Sequence, residues 1–313
     1  MYLELTIIKI NLSLWIIGYF IFFFFTYFLH FFIYRLTLKK LEVKSIHLEK
    51  SIFKYLLKNK KLIILGIISP DYMFAYLYKE VLDDNYDKDF CEIRKKKYYH
   101  DYKAQKIKCE LIGERYECEI HEKKKKRKLF IIYSNWANLI VTSYFTLFAI
   151  FNLYEDFIPK YFIDLVIVII ITRTLSRVIE IIYAFYNDVV SPSMSSNLEF
   201  GERTSNLKRW NRISLAIHSY VEVTLLFALI YHLLKTTFEG SNEEYINTIL
   251  YSFSVSAFNV SFPESLYTFE NFFHVVQIGT SMTLVILALA SYLGIQDEMN
   301  KYEKIDWNNN KYI

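Results

Sequence analysis

Five long apolar stretches alternate with polar segments along the chain. Three of them, Leu12–Tyr34, Leu129–Leu153 and Phe272–Gly294, contain no Asp, Glu, Lys or Arg. Two others, 161–183 and Ile213–Leu234, carry a few charged residues. Because a helix of about 20 apolar residues crosses the hydrocarbon core of a bilayer, the pattern predicts an all-α integral membrane protein with five transmembrane helices.

The first apolar stretch could also belong to a cleaved signal sequence. It lacks a basic segment before the apolar run and an A-x-A cleavage motif, and it is long for a signal. We therefore interpret residues 1–35 as a retained N-terminal transmembrane helix.

The segment 36–128 separates the first two predicted spans and is more polar. Within it, residues 106–120 alternate apolar and polar side chains about a glycine, which predicts a β-hairpin. Residues 62–82 are apolar but are interrupted by Pro70 and Asp71, and a sixth span there would bury the aspartate. We expect a small cytosolic α+β domain over this segment instead.

The composition supports a membrane protein, since 53% of the residues are hydrophobic and 19% are aromatic. Cys91, Cys109 and Cys118 show neither a CxxC motif nor the Cys/His spacing of a zinc site, so we interpret them as packed thiols. The chain contains no P-loop, GxSxG or HExxH motif. An enzyme is therefore not expected, and neither a metal nor a cofactor is predicted.

Positive charge is concentrated on one side of the predicted spans. The segment Arg35–Lys128 holds 25 of the 37 Lys and Arg residues, which predicts a cytosolic location. The N-terminus then lies outside, whereas the linker 187–212 and the tail 295–313 lie inside a multi-pass protein of the cell membrane. The predicted outer segments are acidic, with Glu155, Asp156, Glu239, Glu243, Glu244, Glu264 and Glu270.

The charge separation also bears on partners. The net charge of +4 is small, and the basic run 121–128 directly precedes a span, where it is expected to contact anionic lipid headgroups. Membrane lipids are therefore predicted partners, and nucleic acid is not.

Residues 247–264 lie between the last two spans and are too short and too polar to cross a bilayer. Because the preceding span runs outward and the following one inward, this stretch must leave and re-enter on the outer face as a re-entrant loop. Residues 247–258 predict a short helix whose partially negative C-terminal end would favour a cation. A span, a half-helix and a second span form the pore module of tetrameric cation channels.

The sequence ILYSFSVSAF leading into NVSFPE carries a family resemblance. The segment 173–294 resembles small bacterial potassium-channel family proteins, in which two helices flank a pore helix and a TVGYGD filter. The resemblance implies a pore module over 213–294, two preceding helices within 129–186, and a homotetramer. The residues at the six filter positions are Asn259, Val260, Ser261, Phe262, Pro263 and Glu264.

The filter positions depart from the family pattern at both glycines, which are replaced by Ser261 and Pro263. Proline fixes φ and also restricts the residue before it, so a potassium-type carbonyl filter is not expected. We expect a weakly selective channel for monovalent cations, gated by the cytosolic domain or by a protein or small molecule bound to it. A non-conducting membrane scaffold, sensor or effector subunit is the alternative. The predicted acidic outer mouth comprises Glu239, Glu243, Glu244 and Glu270.

Charged residues within the spans form the remaining candidate sites. Arg173 and Arg177 are expected to extend to the headgroups at the inner end of their helix, with voltage sensing as the alternative. Glu222 needs a partner, for which His218 and Arg177 are candidates, in a structural pair or in a proton-sensing site. Glu180 belongs to the same predicted group of intramembrane charges.

Small residues in the last span form a further candidate feature. Gly279 and Ser281 predict a bend or a close-packing point, as in the inner helices of channels.

Overall fold

The computed structural model of the protein describes residues 12–41, 60–84, 106–108, 115–117, 119–152, 160–187, 207, 209–235, 245–259 and 268–290. Most of this part of the chain is helical, as the sequence predicts. The helices are α1 (Leu12–Lys40), α2 (Lys60–Ile68), α3 (Pro70–Asp84), α4 (Glu119–Asn152), α5 (Lys160–Phe185), α6 (Arg209–Leu234), α7 (Tyr245–Ser256) and α8 (Thr268–Met282), which continues as a π-helix over Thr283–Ala290.

Two short antiparallel strands lie in the segment where the alternating pattern predicts a hairpin. Strand β1 (Lys106–Lys108) pairs with β2 (Arg115–Glu117), and Ile107 faces Tyr116 in the register. The larger α+β domain expected over 36–128 is not supported, because the other described residues of that segment are helical. Cys91, Cys109 and Cys118 lie outside the described residues.

Helices α2 and α3 form one bent helix. The Ser69 N–H donates to the Leu65 carbonyl (2.7 Å), and the Met73 N–H donates to the Ser69 carbonyl (3.1 Å), so helical hydrogen bonds continue across the junction. Ser69 Oγ accepts a hydrogen bond from the N–H of Tyr72 (3.2 Å), so Ser69 is the N-cap of α3. Pro70 then occupies the first helical position, where proline is common. The proline thus starts α3 rather than ending the apolar segment.

The bent helix α2–α3 packs into the helix bundle alongside α1. Near the start of α1, Tyr19 Oη donates to the carbonyls of Gly66 (3.2 Å) and Ile67 (3.0 Å). Further along, the Tyr34 ring lies 5.4 Å from that of Tyr78. Because the residue numbers rise together, the two helices run parallel.

The parallel arrangement changes the expected location of residues 62–82. Leu62, Met73, Phe74 and Leu77 are buried in one core with Phe130, so this segment belongs to the bundle and not to a separate domain. Helix α1 ends and α2 begins at opposite ends of the bundle. If the bundle crosses a membrane, the segment 36–128 cannot lie wholly on its cytosolic side.

Helix α5 also runs parallel to α1. Gly18 faces Val168, and the guanidinium of Arg173 lies 5.7 Å from the ring centre of Phe25. Helices α4, α5 and α6 complete the packing, with α7 and α8 against α6. The main core therefore lies between α5, α6 and the helices that follow.

The outer surface of α1 is apolar. Its side chains at every fourth position, Phe20, Phe24, Phe28 and Phe32, are 55%, 56%, 61% and 59% exposed. In contrast, the polar side chains Thr26, His30 and Thr37 of the same helix are buried. This distribution is the reverse of that on a helix facing water.

Two described helices, Leu12–Lys40 and Trp210–Leu234, are long and apolar enough to cross a membrane. Helices α4 and α5 cover much of the predicted spans 129–153 and 161–183, and α8 with its π-helical continuation lies within 268–290. Their crossing of a membrane stays a prediction.

The close contact at Gly18 generates a stability prediction. A Cβ there would lie 2.6 Å from Cγ1 of Val168, whereas nothing lies within 4 Å of one added at Gly279. We expect Gly18→Ala to destabilise the protein by about 1–3 kcal/mol through overpacking. The matched control Gly279→Ala should instead stabilise α8 by about 0.5–1 kcal/mol. Thermal unfolding of the two purified variants in detergent tests this, and equal effects would argue against close packing of α1 on α5.

Candidate functional site

Helix α7 is a half-length helix that stops in the middle of the bundle. Its 12 residues span about 18 Å. Its first residue, Tyr245, packs against His232 at the end of α6, with ring centres 5.0 Å apart. Its last residue, Ser256, lies with its Oγ 2.9 Å from Oγ1 of Thr224, near the middle of α6. The sequence predicts a short helix over 247–258. The structure confirms this helix, which begins and ends two residues earlier in the chain.

A buried glutamine holds α7 in place. The side-chain N–H groups of Gln277 in α8 donate to the carbonyl of Ser252 (2.8 Å) and to Oγ of Ser256 (2.7 Å). Its amide oxygen accepts from Tyr231 Oη (2.8 Å), and Ser252 Oγ donates to the Thr224 carbonyl (2.7 Å). The network joins α6, α7 and α8. Gln277 was not singled out from the sequence, although an uncharged polar residue in an apolar span is the signal for it.

The C-terminal end of α7 is strained. The Phe258 N–H donates to the Val255 carbonyl (3.0 Å) and the Asn259 N–H to the Ser254 carbonyl (3.1 Å), a pattern that usually has glycine at the first donor position. Phe258 adopts φ 69° there. The left-handed region costs a side-chain-bearing residue about 1–2 kcal/mol. The chain therefore leaves α7 through a strained turn immediately before the predicted filter.

The structure describes one of the six predicted filter residues. Asn259 is exposed, and its Nδ2 donates to Ser254 Oγ (3.0 Å). The predicted residues outside the described part are Val260, Ser261, Phe262, Pro263, Glu264, Glu239, Glu243 and Glu244.

Glu270 differs from the expected exposed position at an outer mouth. It is only 3% exposed, and it lies close enough to Tyr231 and Tyr251 to act on both electrostatically. Glu270 therefore belongs to the packing between α6, α7 and α8.

The predicted bend in α8 lies close to a change of helix type. Gly279 is exposed, and its carbonyl accepts from Thr283 Oγ1 (2.9 Å), the first residue of the π-helix. Ser281 is buried, at 1% exposure. The small residues thus precede the point where the α-helical hydrogen bonding ends.

Buried charges form a second candidate site, centred on Arg177. Its Nε and Nη2 donate to the two carboxylate oxygens of Glu222 (2.8 and 2.7 Å), and its Nη1 donates to Glu180. Paired hydrogen bonds between guanidinium and carboxylate are among the strongest in proteins. The sequence offers His218 and Arg177 as partners of Glu222. In the structure its partner is Arg177.

His218 is not the partner of Glu222. Its Nδ1 lies 3.2 Å from Oδ1 of Asn135, and its ring packs at 4.4 Å against Trp136. Although four residues separate the two side chains on α6, His218 contacts α4 whereas Glu222 contacts α5.

The expectation that the two arginines of α5 extend to the headgroups is wrong. Arg173 is 0% exposed and Arg177 is 3% exposed, because other helices cover this face of α5. Arg173 Nη2 donates to the side-chain and backbone oxygens of Asn138 (3.3 and 3.4 Å). Both charges therefore lie in the bundle interior.

The sequence did not identify His30 and Asp71 as site residues. Both are 0% exposed, on α1 and α3. Ser176 of α5 fixes the start of α3, since its Oγ accepts the Asp71 N–H (3.2 Å) and its carbonyl accepts from Ser69 Oγ (2.8 Å). The sequence argues against a sixth span because it would bury Asp71. The structure does bury Asp71, and Arg173 and Arg177 lie close enough to act on its charge.

A cavity of about 430 Å³ leads to the buried charges. Its wall includes Arg177 and Glu180, together with Lys79, Arg127 and Arg212. The cavity therefore reaches the side chains of the charged centre at Arg177 and Glu180.

No family model, curated protein or solved structure matches the chain. The function is therefore inferred from the half-helix, the buried charges and the sequence pattern.

The hydrogen bonds from Arg177 to Glu222 and Glu180 form an arginine fork. This arginine fork generates a prediction about stability. Arg177→Met leaves two buried carboxylates without their cation, and we expect it to cost about 3–5 kcal/mol. Glu222→Gln should cost less, about 1.5–3 kcal/mol, because Arg177 retains Glu180 and the amide can still accept a hydrogen bond. Unfolding of the purified variants measures both costs. A larger loss for Glu222→Gln would show that Arg177 is not the centre of the network.

The turn after α7 generates a further prediction. Phe258→Gly should stabilise the protein by about 1 kcal/mol, because glycine adopts positive φ without strain. Ala257→Gly is the matched control at a neighbouring position with ordinary φ, and should be neutral or destabilising. Thermal unfolding distinguishes the two, and a loss of stability in Phe258→Gly alone would mean that packing of the ring outweighs the strain.

Proposed function

We propose that the protein is a multi-pass protein of the cell membrane. The support is the reversed distribution of side chains, with a row of exposed phenylalanines on α1 and charged residues such as Arg173 in the interior. Charged side chains within membrane helices face the bundle interior and pair with one another, while apolar surface faces lipid. The five predicted spans and the bent helix α2–α3 together form this bundle.

The proposed orientation places the N-terminus outside and the C-terminus in the cytoplasm. Lys39 and Lys40 end α1, and the basic run precedes the apolar part of α4. Contact of His30 with Phe130 brings these two basic ends to the same end of the bundle. Accumulated Lys and Arg favour the cytosolic side.

Within this membrane protein we propose an ion channel that is weakly selective for cations. The observation that carries the proposal is α7, a half-helix that enters beside the end of α6 and stops near Thr224. Non-helical backbone at membrane depth is tolerated where it lines a water-filled cavity. The carbonyl end of α7 would favour a cation there.

The proposed pore requires four copies of the chain, since one half-helix and loop supply a quarter of a ring. Asn259 and Glu264 are the proposed side-chain ligands for monovalent cations. Without the two filter glycines, an ion would keep part of its water, so charge rather than size would govern selectivity. Gating is proposed to involve the cytosolic part of the segment between α3 and α4, through a protein or small molecule bound there.

A non-conducting scaffold, sensor or effector subunit is the second proposal. It is favoured by Phe258, a bulky residue held in a strained turn where the half-helix ends. Four such side chains at one axis would narrow any pore. The same experiment separates the two proposals.

Reversal potentials of the purified protein in planar bilayers test conduction. We expect potassium and sodium to permeate about equally and chloride to be rejected, and Glu264→Gln to lower cation conductance chiefly at low salt, where screening is weak. The control Glu155→Gln removes a predicted outer carboxylate that lies outside residues 213–294 in the sequence, and it should leave cation conductance unchanged. A strong preference for potassium, or a preference for anions, would contradict the mechanism. Absence of current in all conditions would favour the non-conducting alternative.

A further inference from the structure

Three side chains suited to binding a metal meet inside the bundle. They come from three different helices: His30 from α1, Asp71 from α3 and Glu180 from α5. One ligand atom of each lies within 4.8 Å of the others. The three residues are 0%, 0% and 9% exposed, so they are held by packing rather than on mobile surface chains.

The tautomer of His30 suits metal binding. Its Nδ1 lies 3.0 Å from the carbonyl oxygen of Thr26. A carbonyl can only accept a hydrogen bond, so Nδ1 carries the proton and Nε2 carries the lone pair. Histidine ligands of metals are commonly oriented by such a bond from the other ring nitrogen.

The ligand atoms of His30 and Asp71 lack hydrogen-bond partners in the described part of the chain. These atoms are Nε2 of His30 and both carboxylate oxygens of Asp71, and all three are buried. Buried polar atoms without partners are rare in native proteins, and a bound ion is one of the accepted explanations.

The charges around the three side chains come close to balancing one another before an ion binds. Three buried carboxylates outnumber two buried guanidiniums by one when His30 is neutral. Those groups are Asp71, Glu180, Glu222, Arg173 and Arg177. Lys79, half-buried at the cavity wall, also acts on Glu180, so the group is neutral overall when Lys79 is charged.

We propose that His30, Asp71 and Glu180 bind one divalent transition-metal ion. An imidazole with two carboxylates suits Zn²⁺, Mn²⁺, Fe²⁺ or Co²⁺. Glu180 receives a hydrogen bond from Arg177 on one oxygen and can bind the ion through the other. Because Glu180 also lines the cavity, the ion can enter from that side and keep water in its open positions.

The ion would join three parallel helices that precede the pore module. Its binding would stabilise the folded bundle by mass action, since the unfolded chain does not bring the three ligands together. The proposal does not depend on ion conduction.

Arg173 competes with the ion for Asp71. Two of its guanidinium nitrogens, Nε and Nη1, have no hydrogen-bond partner in the described part of the chain, and its charge acts on Asp71. A direct ion pair after a small side-chain rotation, with no metal, is the competing arrangement that the experiment must exclude.

Metal uptake by the full-length protein tests the proposal. Protein purified in detergent is stripped with a chelator, dialysed and titrated with Co²⁺ and with Zn²⁺, and the bound metal is measured by elemental analysis. We expect one ion per chain, a visible Co²⁺ absorption band and a higher unfolding temperature. His30→Gln and Asp71→Asn should each weaken binding by at least about tenfold. The controls His218→Gln and Asp164→Asn remove the same residue types elsewhere and should leave binding unchanged.

A second measurement needs no variant. Pulsed electron paramagnetic resonance of Mn²⁺ bound to the wild-type protein should detect one coordinated imidazole nitrogen. Absence of uptake by the wild type would overturn the proposal in favour of the Asp71–Arg173 pair. Uptake that persists in His30→Gln, or Mn²⁺ without a nitrogen ligand, would also overturn it.

Discussion

The guanidinium of Arg177 joins the two halves of the molecule. It lies on α5 and binds Glu222 on α6 through two hydrogen bonds, and the same group holds Glu180. Helix α5 belongs to the bundle with α1 and α3, whereas α6 carries α7 and α8. A buried charge left without its partner costs several kcal/mol. The position of α6, with α7 and α8, relative to the other helices therefore depends on the hydrogen bonds of Arg177.

Helix α6 has polar groups on two faces, and each face binds a different part of the structure. Glu222 faces α5 and binds Arg177. On the other face, the Thr224 carbonyl accepts from Ser252 of α7 and the Tyr231 hydroxyl donates to Gln277 of α8. Apolar contacts are not directional, so by themselves they would allow the helices to slide or rotate against one another. These directional bonds set the point along α6 at which α7 ends, and so the position of the strained Phe258.

The charged interior also explains why α2–α3 belongs to the bundle. Asp71 begins α3 beside Ser176 and in the electric field of Arg173. Asp71 lies in the first turn of α3, where the helix N-terminus favours a negative charge. Asp71 also lies beside His30 and Glu180, and these three side chains form the proposed metal site.

The sequence by itself determined the helices with long apolar runs, the half-helix α7 and the possibility that Arg177 compensates Glu222. These features depend on local periodicity, on segment length and on the high cost of an unpaired charge. All three can be read from the sequence without knowledge of tertiary contacts. It did not determine that α2–α3 runs parallel to α1, that Arg173 is buried, or that His30 meets Asp71. Those outcomes depend on which faces pack together, because contacts between residues so far apart along the chain arise only when the helices assemble.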